Sequence, residues 1–252
     1  MGIENKPAIS KYFADTALIS EIKRLMGLGI FNGITTNPSI IAKEAKGVDP
    51  GAYILEIARM FPDVPVSVQM LNGKLPDLVE AAINIAAIAP NVVVKIPAFC
   101  DLQGAAGTED GKALQLIAEL KGKGIKKNVT ALMSAEQAVC YIMAGERAGE
   151  EIQFVSLFFN RIKDGKGDPC REIANTREFI ERHGFNTEII AGSIRIKEDI
   201  REAQMSGAHV VTIPPKVFWE KVLAHPQSKR FIDEAQTNYQ EAFNKGSVIR
   251  QG

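Results

Sequence analysis

Eight short apolar runs alternate along this chain with segments whose apolar residues follow helical spacing. The runs are KYFAD (11–15), NGITT (32–36), VPVSVQM (64–70), NVVVKIP (91–97), KKNVTAL (126–132), QFVSLFF (153–159), TEIIAGS (187–193) and AHVVTIP (208–214). Intervening segments such as SAEQAVCYIMAGERAG (134–149) place apolar residues at i, i+3 and i+4. The alternation predicts eight strands connected by helices, and therefore a parallel sheet.

Repeating strand-helix units of roughly 30 residues favour an α/β chain folded as a single (β/α)8 TIM barrel of about 250 residues. We expect one domain over 1–252, with a C-terminal helical extension at about 217–243. A doubly wound sheet is the competing fold. It is disfavoured because ADTALIS, without a glycine-rich phosphate fingerprint, follows the first strand.

Active sites of this fold lie at the C-terminal ends of the strands. The predicted strand ends carry a dense set of polar residues, including a lysine, a carboxylate, several hydroxyls and amides, and two arginines. The set is Asp15, Thr35, Thr36, Asn37, Gln69, Lys95, Thr130, Ser156, Arg161, Ser193 and Arg195.

Lys95 stands alone in the apolar run NVVVKIPAF. Such a lysine is either structural, held by a carboxylate or extending its amine to solvent, or functional. Inside a dry barrel its pKa falls because desolvation disfavours the cation. A neutral amine is a nucleophile that forms a Schiff base with a carbonyl, and the protonated imine permits C–C cleavage without a metal.

Charge and composition exclude several other classes. Thirty basic residues balance thirty acidic ones, so nothing favours nucleic acid or a membrane surface as partner. The N-terminal MGIENKPAIS has no apolar signal region, and we expect a soluble, cytoplasmic protein. Cys100, Cys140 and Cys170 have neither disulfide-framework nor metal-ligand spacing, and the three histidines form no cluster for zinc. No metal site is expected.

Six of these segments together resemble the transaldolase family, in particular its short-chain branch, which includes enzymes of the fructose-6-phosphate aldolase type. They are FADTA, GITTNPSIIAKE, VVVKIP, KNVTAL, VSLFFNRI and AGSIR, and they follow the order of the predicted strands from about 11 to 243. The resemblance implies a Schiff-base enzyme with the barrel fold, which uses no cofactor and acts on sugar phosphates.

The resemblance implies a role for each matching position. Lys95 matches the Schiff-base lysine, and Asp15 matches the acid/base of C–C cleavage. Thr35 and Asn37 match residues that hold hydroxyls of the substrate or the imine. From the residues alone, Asp15 is as well explained as a helix N-cap, and Thr35 to Asn37 as a cap before Pro38.

Further positions match the rest of the family site. Gln69 and Thr130 match residues that position a catalytic water, with Ser156 beside them. The pocket for the terminal phosphate is matched by Arg161, Ser193 and Arg195. From the residues alone, Gln69 and Thr130 could satisfy one another inside the barrel, and arginines are more often surface salt-bridge partners.

Two positions point to different branches of the family. Phe158 is typical of transaldolases, where the aldolases carry a tyrosine whose hydroxyl helps to hold the catalytic water. Gln69 is the aldolase-like residue, where transaldolases more usually carry glutamate. Without the tyrosine hydroxyl, hydrolytic release of the three-carbon fragment is less favoured than transfer, so the sequence favours a transaldolase.

The segment AFCDLQGAAGTEDG (98–111) is longer than is usual in the short-chain branch. It is explained either as a tolerated surface insertion or as a partial lid that alters the acceptor or the anionic end group. Asn160, at a position where glycine is common in the family, adjoins Arg161.

We therefore expect a transaldolase of the pentose phosphate pathway that transfers a dihydroxyacetone unit from a ketose phosphate. The alternatives are a dihydroxyacetone-releasing aldolase, a transaldolase acting on a sulfonated ketose such as 6-deoxy-6-sulfofructose, a catalytically silent sugar-phosphate-binding barrel, and a structural scaffold. The apolar face of the C-terminal helical pattern and the resemblance predict a homo-oligomer, with a pentamer and a decamer as candidate sizes.

Overall fold

The computed structural model describes residues 10–98 and 111–244, with side chains through 240. Its eight parallel strands close into a barrel in which each strand pairs with its neighbours in sequence and the eighth pairs with the first. The strands are β1 (Lys11–Asp15), β2 (Phe31–Thr35), β3 (Val66–Gln69), β4 (Val92–Pro97), β5 (Lys127–Leu132), β6 (Phe154–Phe158), β7 (Glu188–Gly192) and β8 (Val210–Ile213). The (β/α)8 barrel expected from the alternation is confirmed.

Helices follow the strands. They are α1 (Ile19–Met26), α2 (Pro38–Glu44), α3 (Pro50–Met60), α4 (Leu75–Ala86), α5 (Lys112–Glu119), α6 (Ala135–Ala148), α7 (Phe159–Asp164), α8 (Pro169–His183), α9 (Lys197–Met205), α10 (Pro215–Val217) and α11 (Pro226–Asn244), with a π-helical segment at Phe218–Leu223. Helices such as α4, α6, α8 and α9 pack on the outside of the barrel. None of the described helices is both long and apolar enough to cross a membrane.

Local sequence sets where several helices begin and end. The side chain of Ser134 accepts a hydrogen bond from the amide of Gln137 at the start of α6, and that of Asp168 accepts from two amides at the start of α8. Gly149 and Gly184 end the same two helices with φ of 69° each, a left-handed conformation that glycine adopts at little cost. These turns bring each helix back to the next strand.

We call the N-terminal ends of the strands the base of the barrel and the C-terminal ends its mouth. At the base, polar side chains are paired: Lys127 donates to the Ile125 carbonyl and to Glu150. Asn91 donates from Nδ2 to three carbonyl oxygens at 2.9 to 3.2 Å, and His209 Nδ1 accepts from the Ile189 amide at 2.9 Å. These three polar side chains at the base therefore have hydrogen-bond partners within the protein.

The barrel interior just above the base is filled by apolar side chains, the cluster Phe13, Val93, Phe154, Ile190 and Val210. Gly33 is required at this level, because a Cβ there would lie 2.6 Å from the Phe13 ring. We call this cluster the apolar floor. Polar side chains that point into the barrel above it therefore lie at the mouth.

Candidate active site

The inward-facing side chains above the apolar floor are almost all polar. Side chains alternate across a strand, so residues two positions beyond the floor residues point into the same interior nearer the mouth. These residues are Asp15, Thr35, Ser67, Gln69, Lys95, Asn128, Thr130, Ser156, Phe158 and Thr212, and they come from β1, β2, β3, β4, β5, β6 and β8.

Lys95 and Asp15 dominate the electrostatics of this layer. Lys95 is 6% exposed, and its Nζ donates to the Thr36 carbonyl oxygen at 3.2 Å. Burial lowers the pKa of Lys95, and the attraction of Asp15 only partly opposes this. Burial also raises the pKa of Asp15, against the effects of Lys95 and a hydrogen bond from Thr35. Both shifts favour the uncharged forms and bring the two pKa values closer together, which suits the two groups to proton transfer.

Two threonine hydroxyls form a hydrogen-bonded chain that ends on the Asp15 carboxylate. Thr35 Oγ1 donates to Asp15 Oδ1 at 3.0 Å and lies 2.5 Å from Thr212 Oγ1. Because a hydroxyl has one proton, Thr35 donates to the carboxylate while accepting from Thr212. This arrangement fixes one oxygen of Asp15, Oδ1.

A second polar chain crosses the opposite side of the mouth. Ser156 Oγ donates to Asn128 Oδ1 at 2.7 Å, and Asn128 Nδ2 donates to Ser67 Oγ at 3.2 Å. Asn128 pairs in register with Lys95 on the neighbouring strand, so this chain lies beside the lysine.

Thr130 is fully buried, and its Oγ1 has no hydrogen-bond partner among the described residues. Gln69 and Thr130 therefore do not satisfy one another, and that structural interpretation is wrong. Ala131 follows with φ of 62°, unusual for a non-glycine residue, where the β5–β6 register shifts. The irregularity lies directly beside the unpaired hydroxyl.

The sequence leaves open that Asp15 caps one helix and that Thr35 to Asn37 cap another, and the structure bears out only the second of these. Helix α1 begins after Leu18, and the Asp15 carboxylate accepts a hydrogen bond from the Thr35 side chain. The N-cap interpretation of Asp15 is therefore wrong. Asn37 does cap α2, since its Oδ1 accepts from the Ile40 amide at 2.9 Å. Its Nδ2 has no hydrogen-bond partner among the described residues, and so remains available at the mouth.

Phe158 ends β6, and its ring lies over Gly192, its register partner on β7. A Cβ at Gly192 on β7 would lie 3.4 Å from the Phe158 ring and 3.8 Å from a methyl carbon of Thr212. The ring thus covers the β7–β8 side of the mouth with an apolar surface. Residues 99–110, which include most of the extended segment after β4, lie outside the described residues.

The three residues predicted for the phosphate pocket lie together after β6 and β7. Arg195 makes a bidentate contact with Asp164, from Nη1 to Oδ1 at 2.8 Å and Nη2 to Oδ2 at 2.6 Å, and Arg161 lies 3.8 Å from the same carboxylate. Ser193 follows β7 with φ of 60°. Both guanidiniums are largely exposed, so two cations and a hydroxyl are accessible to an anion.

Sequence reasoning missed several polar residues of this region. They are Ser67, Asn128, Asp164, Asp199 and Thr212. Thr212 and Asn128 carry a usable signal, since each is a polar residue on the inward face of an apolar strand, as Lys95 is. Asp164 and Asp199 lie in helices and look like ordinary surface acids in the sequence.

Chemically, the mouth offers a buried amine, a carboxyl group with a raised pKa, an unpaired hydroxyl and two exposed guanidiniums. This set can form an imine with a carbonyl group, transfer a proton to or from a nearby substrate hydroxyl, and bind an anionic end group. Among the described residues, no group of three or more histidine, cysteine, aspartate or glutamate side chains could hold a metal ion.

A family model described as transaldolase/fructose-6-phosphate aldolase matches residues 12–250. A probable transaldolase of Symbiobacterium thermophilum is 36% identical over 238 residues, which cover 94% of this chain and 100% of the relative. A probable transaldolase of Moorella thermoacetica is 34% identical, covering 93% and 100%. A probable transaldolase of Streptococcus agalactiae is 39% identical, covering 88% and 94%.

Solved structures share the fold at low sequence identity. A 2,3-dimethylmalate lyase of the PEP mutase/isocitrate lyase superfamily has a TM-score of 0.52 at 13% identity, covering 96% of this chain and 85% of that one. A putative phosphonomutase from Burkholderia cenocepacia has a TM-score of 0.54 at 13% identity, covering 92% and 94%. At this identity the likeness concerns the barrel alone.

Proposed function

We propose that this chain, which belongs to the transaldolase/fructose-6-phosphate aldolase family, transfers a dihydroxyacetone unit between sugar phosphates through a Schiff base at Lys95. The donor is a ketose phosphate of the fructose 6-phosphate or sedoheptulose 7-phosphate type, and the acceptor is an aldose phosphate. The observation that carries the proposal is that Lys95 and Asp15 share the interior of the mouth, where each acts on the charge of the other and burial shifts their pKa values in opposite directions.

The reaction begins at the Lys95 amine. Its lowered pKa supplies the neutral form, which attacks C2 of the ketose, and loss of water leaves a protonated imine. Gln69 and Thr130 hold the water that relays protons in this step; the unpaired Thr130 hydroxyl supports that role.

Asp15 then acts as general base on the C4 hydroxyl. As the proton moves to Asp15, the C3–C4 bond breaks, its electrons pass to the imine nitrogen, and an aldose phosphate leaves. Thr35 fixes the carboxylate, and Asn37 and Ser156 hold substrate hydroxyls.

The three-carbon enamine remains on Lys95 until an acceptor arrives. Its former C3 attacks the aldehyde carbon of the second aldose phosphate, and Asp15 returns its proton to the new alkoxide. Hydrolysis of the imine releases the product and frees the lysine. Arg161, Ser193 and Arg195 bind the terminal phosphate of each sugar. None of these steps requires an organic cofactor.

A second candidate function is the release of free dihydroxyacetone, as an aldolase does. Gln69 favours it, because this residue matches the aldolase-type member of the family. Phe158 opposes it, because its ring has no hydroxyl with which to hold the hydrolytic water. We place transfer first for this reason, and we keep a sulfonated ketose as an alternative donor for the same arginines.

We also propose a homo-oligomer in solution. Helix α11 is exposed along its described length, and it carries Phe231 and Ile232 with 71% and 55% of their surface accessible. Side chains of this kind pack on a neighbour more readily than they remain in water. Light scattering tests this, and a monomer would contradict it. The cytoplasm and the pentose phosphate pathway stay predictions.

The deciding experiment is borohydride trapping with fructose 6-phosphate, followed by peptide mapping. We expect a reduced three-carbon adduct on Lys95 and not on Lys127, the matched buried lysine at the base, and a lower yield when erythrose 4-phosphate is added. Free dihydroxyacetone at the same rate with or without acceptor would favour the aldolase. Failure to trap with fructose 6-phosphate and with 6-deoxy-6-sulfofructose would overturn the imine mechanism.

A further inference from the structure

A buried carboxylate holds the backbone that carries Arg195. Asp199, in the first turn of α9, is 0% exposed. Its Oδ2 accepts from Asn160 Nδ2 at 2.6 Å and from the amides of Arg195 and Ile196 at 2.9 and 3.0 Å, while Lys163 Nζ lies 3.2 Å from Oδ1. Burial by itself would raise the pKa of Asp199, but these hydrogen bonds outweigh it and lower the pKa. Asp199 is therefore an ionised group with a full set of donors.

The same contacts hold the turn that follows β7. Ser193 has φ of 60°, a backbone conformation that is unfavourable for serine and needs external support. Its carbonyl oxygen accepts from Asn160 Nδ2 at 2.8 Å. One amide group of Asn160 thus bonds both the strained residue and the carboxylate that holds the Arg195 backbone.

Asn160 also connects this turn to the neighbouring one. It lies in α7, directly before Arg161, whereas Ser193 and Arg195 follow the next strand of the barrel. The Arg161 and Arg195 side chains are 64% and 47% exposed, so packing does little to fix their guanidiniums. The two backbones are joined by the bonds of Asn160 to Ser193 and Asp199. The contacts of Lys163 with Asp199 and of Arg195 with Asp164 join them further. Of these four contacts, only the two bonds of Asn160 are made next to Arg161 and are buried or partly buried without an exposed ion pair.

Lys163, the other basic residue near the end of α7, belongs to this support and not to the anion pocket. Its ammonium contacts Asp199 at 3.2 Å and Glu202 at 2.9 Å, and it lies 4.6 Å from the centre of the Phe159 ring. These partners compensate its charge, so Arg161 is the cation of α7 that is available to a substrate.

We propose that Asn160 and Asp199 are positioning residues of the anion pocket, which set the spacing of Arg161 and Arg195 and thereby the affinity for the phosphate end of the substrate. This inference rests on the proposed function, in which those arginines bind phosphate. Phosphate contacts act alike in the ground state and the transition state, so loosening them raises KM and leaves kcat nearly unchanged.

The test compares Asn160→Ala with Asp199→Asn and with the control Glu202→Gln. Glu202→Gln removes the exposed partner of Lys163 without touching the turn. For Asn160→Ala we expect KM for fructose 6-phosphate and the inhibition constant of inorganic phosphate each to rise about tenfold, with kcat within about twofold. Asp199→Asn should have a smaller effect, because the amide oxygen still accepts from the backbone. Glu202→Gln should match the parent.

Dihydroxyacetone supplies the readout that a purely structural role would not separate. This triose has no phosphate, so borohydride trapping of its imine on Lys95 should change less than twofold in Asn160→Ala. Equal losses of dihydroxyacetone trapping and of phosphate affinity, or a KM unchanged in both Asn160→Ala and Asp199→Asn, would overturn the inference. A parent enzyme that traps dihydroxyacetone but is not inhibited by phosphate would instead overturn the phosphate role of the arginines, and the inference with it.

Discussion

The two ends of the barrel each bury a lysine in an apolar strand, and the two lysines have different surroundings. Lys127 at the base is 0% exposed and contacts the Glu150 carboxylate and the Ile125 carbonyl. Lys95 at the mouth is 6% exposed and donates to one carbonyl, that of Thr36. The polar groups named at the base are fully paired and stabilise the fold, whereas at the mouth Lys95 makes one hydrogen bond and the Thr130 hydroxyl makes none among the described residues. Groups left in this state are the reactive ones.

Exchanging each lysine for methionine tests this contrast most strongly. Lys95→Met removes the nucleophile, so kcat/KM should fall by at least about 10⁴-fold. Its melting temperature should stay level or rise, because a desolvated amine has been replaced by an apolar side chain of similar length. Steady-state kinetics and thermal melting measure the two effects.

Lys127→Met should show the opposite result. It leaves the partly buried Glu150 without its cation, which we expect to cost about 1–3 kcal/mol of unfolding free energy and to lower the melting temperature by roughly 3–10 °C. Activity at 25 °C should stay within about twofold of the parent. A folded Lys127→Met protein with no activity would break the contrast, as would full activity in Lys95→Met.

Asp15→Asn is expected to have the next largest effect. It removes the base but keeps the contact with Thr35, so kcat should fall by about 10³-fold while imine trapping with dihydroxyacetone persists. In the parent, Asp15 must be ionised to act as base, and its raised pKa therefore places the acid limb of kcat/KM above the range usual for aspartate. Loss of trapping together with turnover would contradict a role restricted to C–C cleavage.

Thr130→Val probes the unpaired hydroxyl at the mouth. The substitution keeps the shape and removes a buried polar atom without a partner, so stability should rise by up to about 1 kcal/mol. If the hydroxyl holds the water used in imine formation, kcat should fall by about 10²-fold. Thr176→Val is the control, because that hydroxyl donates to the Glu172 carbonyl in α8 at 2.8 Å, and it should leave kcat unchanged. A less stable but fully active Thr130→Val would mean that the hydroxyl is structural.

The alternation of apolar runs predicts the barrel well because strand burial and chain connectivity are local properties. The fourth strand is predicted at 91–97 and occupies Val92–Pro97. Lys95 lies buried in it, which is one of the two placements that the sequence leaves open. The difference between Lys95 and Lys127 could not be predicted, because each depends on a partner distant in sequence. Glu150 lies 23 positions from Lys127, and Thr36 lies 59 from Lys95.

His209 at the base allows a test of the base that measures stability and not activity. His209 Nδ1 accepts from the Ile189 amide, and burial and then Arg177 lower the pKa of His209 to about 4 from 6.5. The unfolded chain therefore binds this proton first as the pH falls, and stability is lost between pH 6.5 and about 4. His209→Asn keeps an acceptor without titrating, so its melting temperature should depend less on pH in this window. His183→Asn, at an exposed histidine, is the control, and equal pH dependence in parent and His209→Asn would contradict the prediction.

The smallest expected effect concerns Asp164, which pairs with Arg195 and lies near Arg161 where a substrate anion would bind. An exposed ion pair is weak, so a phosphate can displace Asp164, but the carboxylate competes with it for the end of the Arg195 guanidinium. Asp164→Asn should therefore lower KM for fructose 6-phosphate by about two- to fivefold, with kcat unchanged. The gain should shrink as salt is added, because these charges face solvent. A higher KM in Asp164→Asn would show that the carboxylate orients the arginines for phosphate. The anion pocket would then resemble the base of the barrel, where paired charges hold the structure.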